Sequence, residues 1–225
     1  MIKRYLAIVV LYICCVFSPF LPFFMPIARL FPHLKDGKGI VYTAVFCLTL
    51  ILTLLLLLPE RSQRAVRPTS FIEALLWAFL GIIGLFLVQF IATFINVLLL
   101  HQAAPSTHTQ DIVNLTRASP LFIFTVSVIG PMLEEIVFRK IFFGSLRSKM
   151  PFIIAAAISS FVFAVVHMDL SHLLTYFLIG FFLCYVYART GRIWVTMIMH
   201  AGMNSIVILV NLAIASTPLI MLWPH

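Results

Sequence analysis

Seven apolar runs, at about 5–28, 40–58, 71–100, 119–143, 152–167, 172–188 and 193–214, take up most of this 225-residue chain. A helix needs about 20 such residues to cross the hydrocarbon core of a bilayer. With 63% hydrophobic and 10% charged residues and a mean hydropathy of +1.13, a water-soluble fold could not hide this apolar surface. Disorder, a collagen-like chain, a disulfide scaffold and an ordinary soluble enzyme are excluded on the same grounds. The fold expected is all-α: a polytopic integral membrane helical bundle of about seven transmembrane helices. Eight are expected if the first or third run is broken. Pro19, Pro22 and Pro26 predict that the first run kinks or ends before Arg29.

The net charge of +8 does not point to nucleic acid, because the basic residues sit mainly in short gaps between apolar runs, where they set orientation. With a cytoplasmic N-terminus, the inner segments hold Lys3, Arg4, Arg61, Arg64, Arg67, Arg139, Lys140, Arg147, Lys149, Arg189 and Arg192, and the outer ones only Arg29, Lys35, Lys38 and Arg117. That bias predicts a multi-pass protein of the cell membrane with its C-terminus outside. The first run is too long for a signal peptide's apolar core and lacks a small-x-small cleavage site, so it reads as an uncleaved span. Ile13 is too bulky for a lipoprotein signal ending at Cys14. The 101–119 stretch reads as a polar outer loop, and 216–225 is too short for a further span. Cys14, Cys15, Cys47 and Cys184 lie inside apolar runs without metal-ligand spacing and read as small packing residues.

An ionisable group inside the bilayer costs about 2.5–3.5 kcal/mol or more on insertion scales, so each needs a reason. The fourth run contains Pro131-Met132-Leu133-Glu134-Glu135-Ile136-Val137-Phe138-Arg139. Glu135 and Arg139 are i,i+4 and can form a neutralising pair. Glu134 points about 100° away and is left without that partner, as a general base facing a cavity would be. A purely structural ion cluster, or a mark of the helix's cytosolic end, is the plainer alternative. In the fifth run Phe163 and His167 are i,i+4, so the phenyl ring can orient the imidazole. In the seventh, His200 and Asn204 share a face, and Ala201 and Gly202 keep the helix slim for a neighbour or a substrate. Taken singly, His167 reads as interfacial and His200 and Asn204 as interhelical hydrogen-bonding groups. Gln89, Asn96 and Asn211 read as polar glue. His33, His101, His108 and His225 read as solvated, and His172 as a possible support for His167. Together, one free glutamate, two histidines and an asparagine on three spans are the groups needed to activate water and stabilise an oxyanion.

Glu134-Glu135-x-x-x-Arg139, Phe163-x-x-x-His167 and His200-x-x-x-Asn204 resemble the three motifs of the CAAX protease and bacteriocin-processing family (CPBP, or Abi) of intramembrane endopeptidases. The two 33-residue gaps between Glu134, His167 and His200 fit that resemblance. It covers about 120–211 and divides the single 1–225 membrane domain into generic spans at 1–118 and a catalytic core at 119–214. It implies that Glu134 activates water with help from His167. His200 and Asn204 would form the oxyanion site, and Glu135, Arg139 and Phe163 would support it. The implied substrate is a membrane-embedded or lipid-anchored peptide or protein. No cofactor is expected. The alternative is a zinc ion on Glu134, His167 and His200, disfavoured because no tight metal spacing occurs. Members that cleave prenylated CaaX proteins have eight spans against the seven counted here, which bears on substrate and not on chemistry. A non-enzymatic bacteriocin-immunity or partner-binding protein and a small transporter are the competing functions; no internal symmetry favours the latter.

Helix rise sets a depth test. Glu134 lies about 13 Å from Phe143, His200 and Asn204 about 10 and 16 Å from the inner end of the last run, and His167 about 22 Å in. The mismatch shrinks if the fourth run continues through Gly144 to Arg147. A 168–171 turn held below the outer surface, with Asp169 lining a wet cavity, is expected to absorb the rest.

Overall fold

The computed structural model describes residues 2–22, 26–27, 37–59, 69–100 and 106–216. It is all-α. The helices are α1 (Ile2–Val16), α2 (Gly37–Leu57), α3 (Phe71–Leu100), α4 (Thr107–Ala118), α5 (Pro120–Arg147), α6 (Phe152–Val166), α7 (Leu173–Thr190) and α8 (Ile193–Ser216). Five of them are long and apolar enough to cross a membrane: α2, α3 over Phe71–Leu98, α5, α7 extended back to Leu170, and α8 over Ile193–Ile214. Among the described residues that is two fewer than the expected count of about seven. α1 and α6 have 15 residues each, or about 22 Å of helix against a core of about 30 Å. The first run does end early: α1 stops at Val16, and a short 3-10 turn with Pro19 in its first turn follows. The third run is unbroken. Arg29, Lys35, Arg61, Arg64, Arg67, His33, His101 and His225, and the 217–225 tail, lie outside the described residues, as does the side chain of His108.

α3 begins on Ser70, whose Oγ accepts from Glu73 N at 3.2 Å, half of a capping box. Its outward face carries Phe79, Leu80, Ile83, Leu87, Phe90 and Phe94, all exposed, a continuous apolar surface that fits lipid and not water. Its inner face holds Ala74, Ala78, Leu85 and Ala92 against α7 and α8. Close approach there needs small residues. A Cβ on Gly202 would sit 2.6 Å from Ile82 Cδ1, so the slim face of α8 serves α3 and not a substrate. Asn96 Nδ2 donates to Thr175 Oγ1 at 3.3 Å and joins α3 to α7, as polar glue should. Asn211 instead bonds back to Val207 O on its own helix at 2.8 Å.

α5 runs through to Arg147, as the depth test required, but not with a uniform pitch. It widens to π-helix at Thr125–Ile129 and at Glu135–Phe143. Such bulges mark places where the i−4 ladder fails, often at functional sites. Here the cause is local: Gly130 N donates to Thr125 O, and Pro131 has no N–H to offer the next carbonyl. Thr125 Oγ1 also bonds Thr43 Oγ1 of α2 at 2.8 Å.

The expected 101–119 loop contains α4. Ser106 caps it, accepting from Thr109 N at 3.1 Å, and Val113 and Thr116 are buried at i,i+3 spacing. A short amphipathic period inside a polar stretch was enough to make a helix once a surface was present to bury it. On the opposite face of the bundle, Arg192 donates to Thr69 O at 3.0 and 2.7 Å, and Arg189 pairs with Glu73 at 3.5 Å. The start of α3 and the α7–α8 connection therefore share one face. α7 stops at Gly191, whose φ of 63° is a left-handed cap that glycine adopts without strain.

Candidate active site

The second π-segment of α5 carries Glu135 and Arg139 on the core side. Glu135 Oε1 lies 3.2 Å from Arg139 Nη1, with the two side chains 0% and 1% exposed. The expected neutralising pair is present and fully buried. The Arg139 guanidinium lies 4.2 Å above the Phe163 ring of α6, a second contact that offsets its burial.

His200, on α8, meets the same carboxylate: its Nδ1 is 2.9 Å from Glu135 Oε1. A carboxylate beside an arginine only accepts, so Nδ1 carries the hydrogen of this bond. The tautomer is thereby fixed, and Nε2 is turned outward. That atom lies 3.7 Å from Glu134 Oε2. Glu134 has no partner on its own helix, as expected, but it does not face an empty space. It faces His200, and its side chain keeps 20% exposure where Glu135 has none.

Phe163 links the two histidines. Its ring meets His167 edge-on at 4.5 Å and His200 at 6.0 Å. At the end of α6 the His167 N–H turns to Ala164 O at 3.3 Å, and the ring's Nδ1 donates to the Phe163 carbonyl at 2.8 Å. Nδ1 is thereby committed to the backbone of the same helix. Met168, at φ 55°, ends the helix in the left-handed region.

Asn204 sits one turn beyond His200. Its Nδ2 donates to Val126 O at 3.3 Å. That carbonyl lies in the first π-bulge, where the i−5 donor would be residue 131, a proline. Asn204 supplies the hydrogen that Pro131 lacks. One amide hydrogen thus ties α8 to α5, and the second is not used by that bond.

Asp169 does not line an open cavity, contrary to expectation. It is 5% exposed; its Oδ2 accepts from Ser106 Oγ at 2.7 Å and its Oδ1 from His172 N at 3.3 Å and Nδ1 at 3.2 Å. Burial pushes its carboxyl up, but the bonds from Ser106 and His172 outweigh that and hold it below the usual aspartate range. His172 therefore supports the 167–172 turn and not His167 directly. Tyr176, stacked on His167 at 4.1 Å, had no signal in the sequence, since nine positions and a turn separate the two.

The zinc set is not brought together. Among the described residues, no three His, Cys, Asp or Glu side chains are arranged to hold a metal ion. Both histidines spend Nδ1 on protein acceptors, and the Phe163 ring lies against both imidazoles.

The chain is similar to known proteins. Residues 116–206 match the family described as type II CAAX prenyl endopeptidase Rce1-like. The putative membrane peptidase YdiL of Bacillus subtilis (strain 168) is 39% identical over 177 residues, covering 79% of this chain and 72% of that protein. The membrane-embedded CAAX protease MroQ of Staphylococcus aureus (strain USA300) is 29% identical over 222 residues, covering 91% and 87%. The UPF0177 protein YxdF of Lactococcus lactis is 34% identical over 82 residues, 36% of this chain and 45% of that one. No solved structure matches. The first two relatives match over most of the chain: it belongs to the Rce1-like type II CAAX endopeptidase (CPBP) family of membrane peptidases.

Proposed function

We propose that the protein is a glutamate-dependent intramembrane endopeptidase in which Glu134 activates the attacking water. The observation that carries this reading is the 3.7 Å approach of Glu134 Oε2 to His200 Nε2. The two groups face each other across a gap too wide for a direct hydrogen bond, and a water there would meet both. Behind them Glu135 and Arg139 make a buried pair that cannot move and that fixes the imidazole. With neutral His200 the four groups sum to one negative charge; one proton shared between Glu134 and His200 brings the sum to zero. A carboxylate that takes the water's proton, and an imidazole that holds it, suit acid–base hydrolysis.

In this reading His167 Nε2 accepts from the water and positions it. Once the water's proton has passed through Glu134 to His200 Nε2, that N–H and the second Asn204 amide hydrogen stabilise the oxyanion. No step needs a metal. Glu135, Arg139 and Phe163 hold the geometry. The substrate is a membrane-embedded or lipid-anchored peptide or protein that enters from the bilayer; the name of the staphylococcal relative, a CAAX protease, supports that class. The 119–214 segment forms the catalytic core of a single domain.

We also propose a seven-crossing arrangement, with α1 and α6 as short crossings, the N-terminus cytoplasmic and the C-terminus outside. The basic residues of the inner segments support it, as does the shared face of Thr69, Glu73, Arg189 and Arg192. Cysteine substitutions across 165–173 test the buried turn: an impermeant thiol reagent added outside should label them slowly, and fast labelling rejects it. For the chemistry, membrane proteomes and secreted peptides of wild-type and Glu134→Ala cells are compared. Peptides lost in the variant, with unchanged protein in the membrane, support the proposal. Identical peptide sets reject it.

A further inference from the structure

Tyr176, on α7, belongs to none of the three motifs, yet its contacts converge on one of their residues. Its ring stacks on the His167 imidazole with centroids 4.1 Å apart and planes 26° from parallel. Phe163 meets that imidazole edge-on at 4.5 Å, and the Phe163 carbonyl takes its Nδ1 hydrogen at 2.8 Å. Two aromatic rings and one hydrogen bond therefore fix the plane and the rotation of His167.

The tyrosine is itself braced. Its hydroxyl lies 3.2 Å from Ser106 Oγ. Ser106 has one hydrogen, and the 2.7 Å contact with the Asp169 carboxylate claims it. The Tyr176 hydroxyl is then the donor to Ser106, which also accepts from Thr109 N at the start of α4 at 3.1 Å. Asp169 is held in turn by His172. The serine is thus used to its full hydrogen-bonding capacity, and the chain of bonds runs from the cap of α4 to the ring on His167.

From these contacts we infer that Tyr176 is a positioning residue for His167, held in register by Ser106 at the cap of α4. Its effect on cleavage rests on the hydrolytic role proposed above for His167; its effect on the imidazole does not. A displacement of about 1 Å in a catalytic group can cost about a hundredfold in rate, so a ring that sets the angle of His167 matters without touching substrate. The amphipathic helix α4, which the motifs do not include, becomes part of the site through one hydroxyl.

The test uses the full-length protein in detergent micelles and two readouts. The first is the rate at which diethylpyrocarbonate modifies His167, followed by peptide mass spectrometry. Tyr176→Leu is expected to raise it about fivefold or more, Tyr176→Phe to leave it within about twofold, and Ser106→Ala to fall between, because the ring and not the hydroxyl makes the stack. A wild-type rate in Tyr176→Leu overturns the inference. Should Leu prevent folding, Tyr176→Met fills the space without an aromatic face and carries the same expectation. The second readout is cleavage of a peptide lost from Glu134→Ala cells. Tyr176→Leu is expected to lower kcat about tenfold or more at nearly constant KM, with Tyr176→Phe restoring most of it. If His167→Ala cleaves normally while the modification rate still rises in Tyr176→Leu, the role of His167 is wrong and the clamp stands. If His167→Ala is inactive and Tyr176→Leu cleaves at the wild-type rate, the clamp has no part in the reaction and the inference falls.

Discussion

His200 Nδ1 lies 2.9 Å from Glu135 Oε1, across 65 residues of sequence. The bond gives the second glutamate of the adjacent pair a task distinct from the first. Glu135 is fully buried and answers to both Arg139 and His200; Glu134 is partly exposed and faces the outer nitrogen of the imidazole. Two identical side chains on neighbouring positions thus become a support and a reactive group through the direction each one points.

The supporting role makes a stability prediction. Glu135→Ala leaves the Arg139 guanidinium buried without its carboxylate and is expected to destabilise the protein by about 3–5 kcal/mol. Glu134→Ala removes no such pair and is expected to cost under about 1 kcal/mol. Thermal unfolding in detergent measures both. The double variant Glu135→Leu/Arg139→Met, which removes both charges, is expected to be more stable than Glu135→Ala alone.

Asn204 is expected to act on rate more than on binding. Asn204→Ala should lower kcat about a hundredfold or more with little change in KM, the loss seen when one oxyanion donor is removed. Pro131→Ala adds the missing N–H to α5 and competes for the Val126 carbonyl. It is expected to reduce kcat without loss of thermal stability, and steady-state kinetics with an unfolding curve check the two together.

Asp169 sets a pH dependence. Its carboxyl is held below the aspartate range, so the stability it contributes is present above the unfolded value of about 3.9 and is lost as pH falls through the lower folded value. The stability difference between wild type and Asp169→Asn should be constant above about pH 5 and close as the pH falls below about 4. A difference that instead grows in acid would contradict the Ser106–Asp169–His172 arrangement.

Most helices and all three motifs were legible in the sequence, because apolar length and i,i+4 spacing are local properties. The Glu135–Arg139 pair followed from spacing alone. What crossed between helices did not. Nothing local could say that His200 would turn one nitrogen to Glu135 and the other to Glu134, or that Tyr176 would stack on His167. The widened pitch of α5 had a trace in Gly130-Pro131, since proline leaves a carbonyl unpaired, but its use by Asn204 depends on α8 lying alongside. The first apolar run did not show that α1 would stop as early as Val16, whereas α6 has nearly the length its run allowed. α4 was missed because its polar faces outweigh the buried Val113 and Thr116.

The account stands on Glu134 as the base. The most direct measurement is single-turnover cleavage by purified Glu134→Gln in detergent, on a peptide that wild-type protein cleaves, with unfolding temperature measured on the same sample. Glutamine keeps the shape and cannot take a proton, so the rate is expected to fall about a thousandfold at nearly unchanged unfolding temperature. Cleavage within about threefold of wild type would contradict the account.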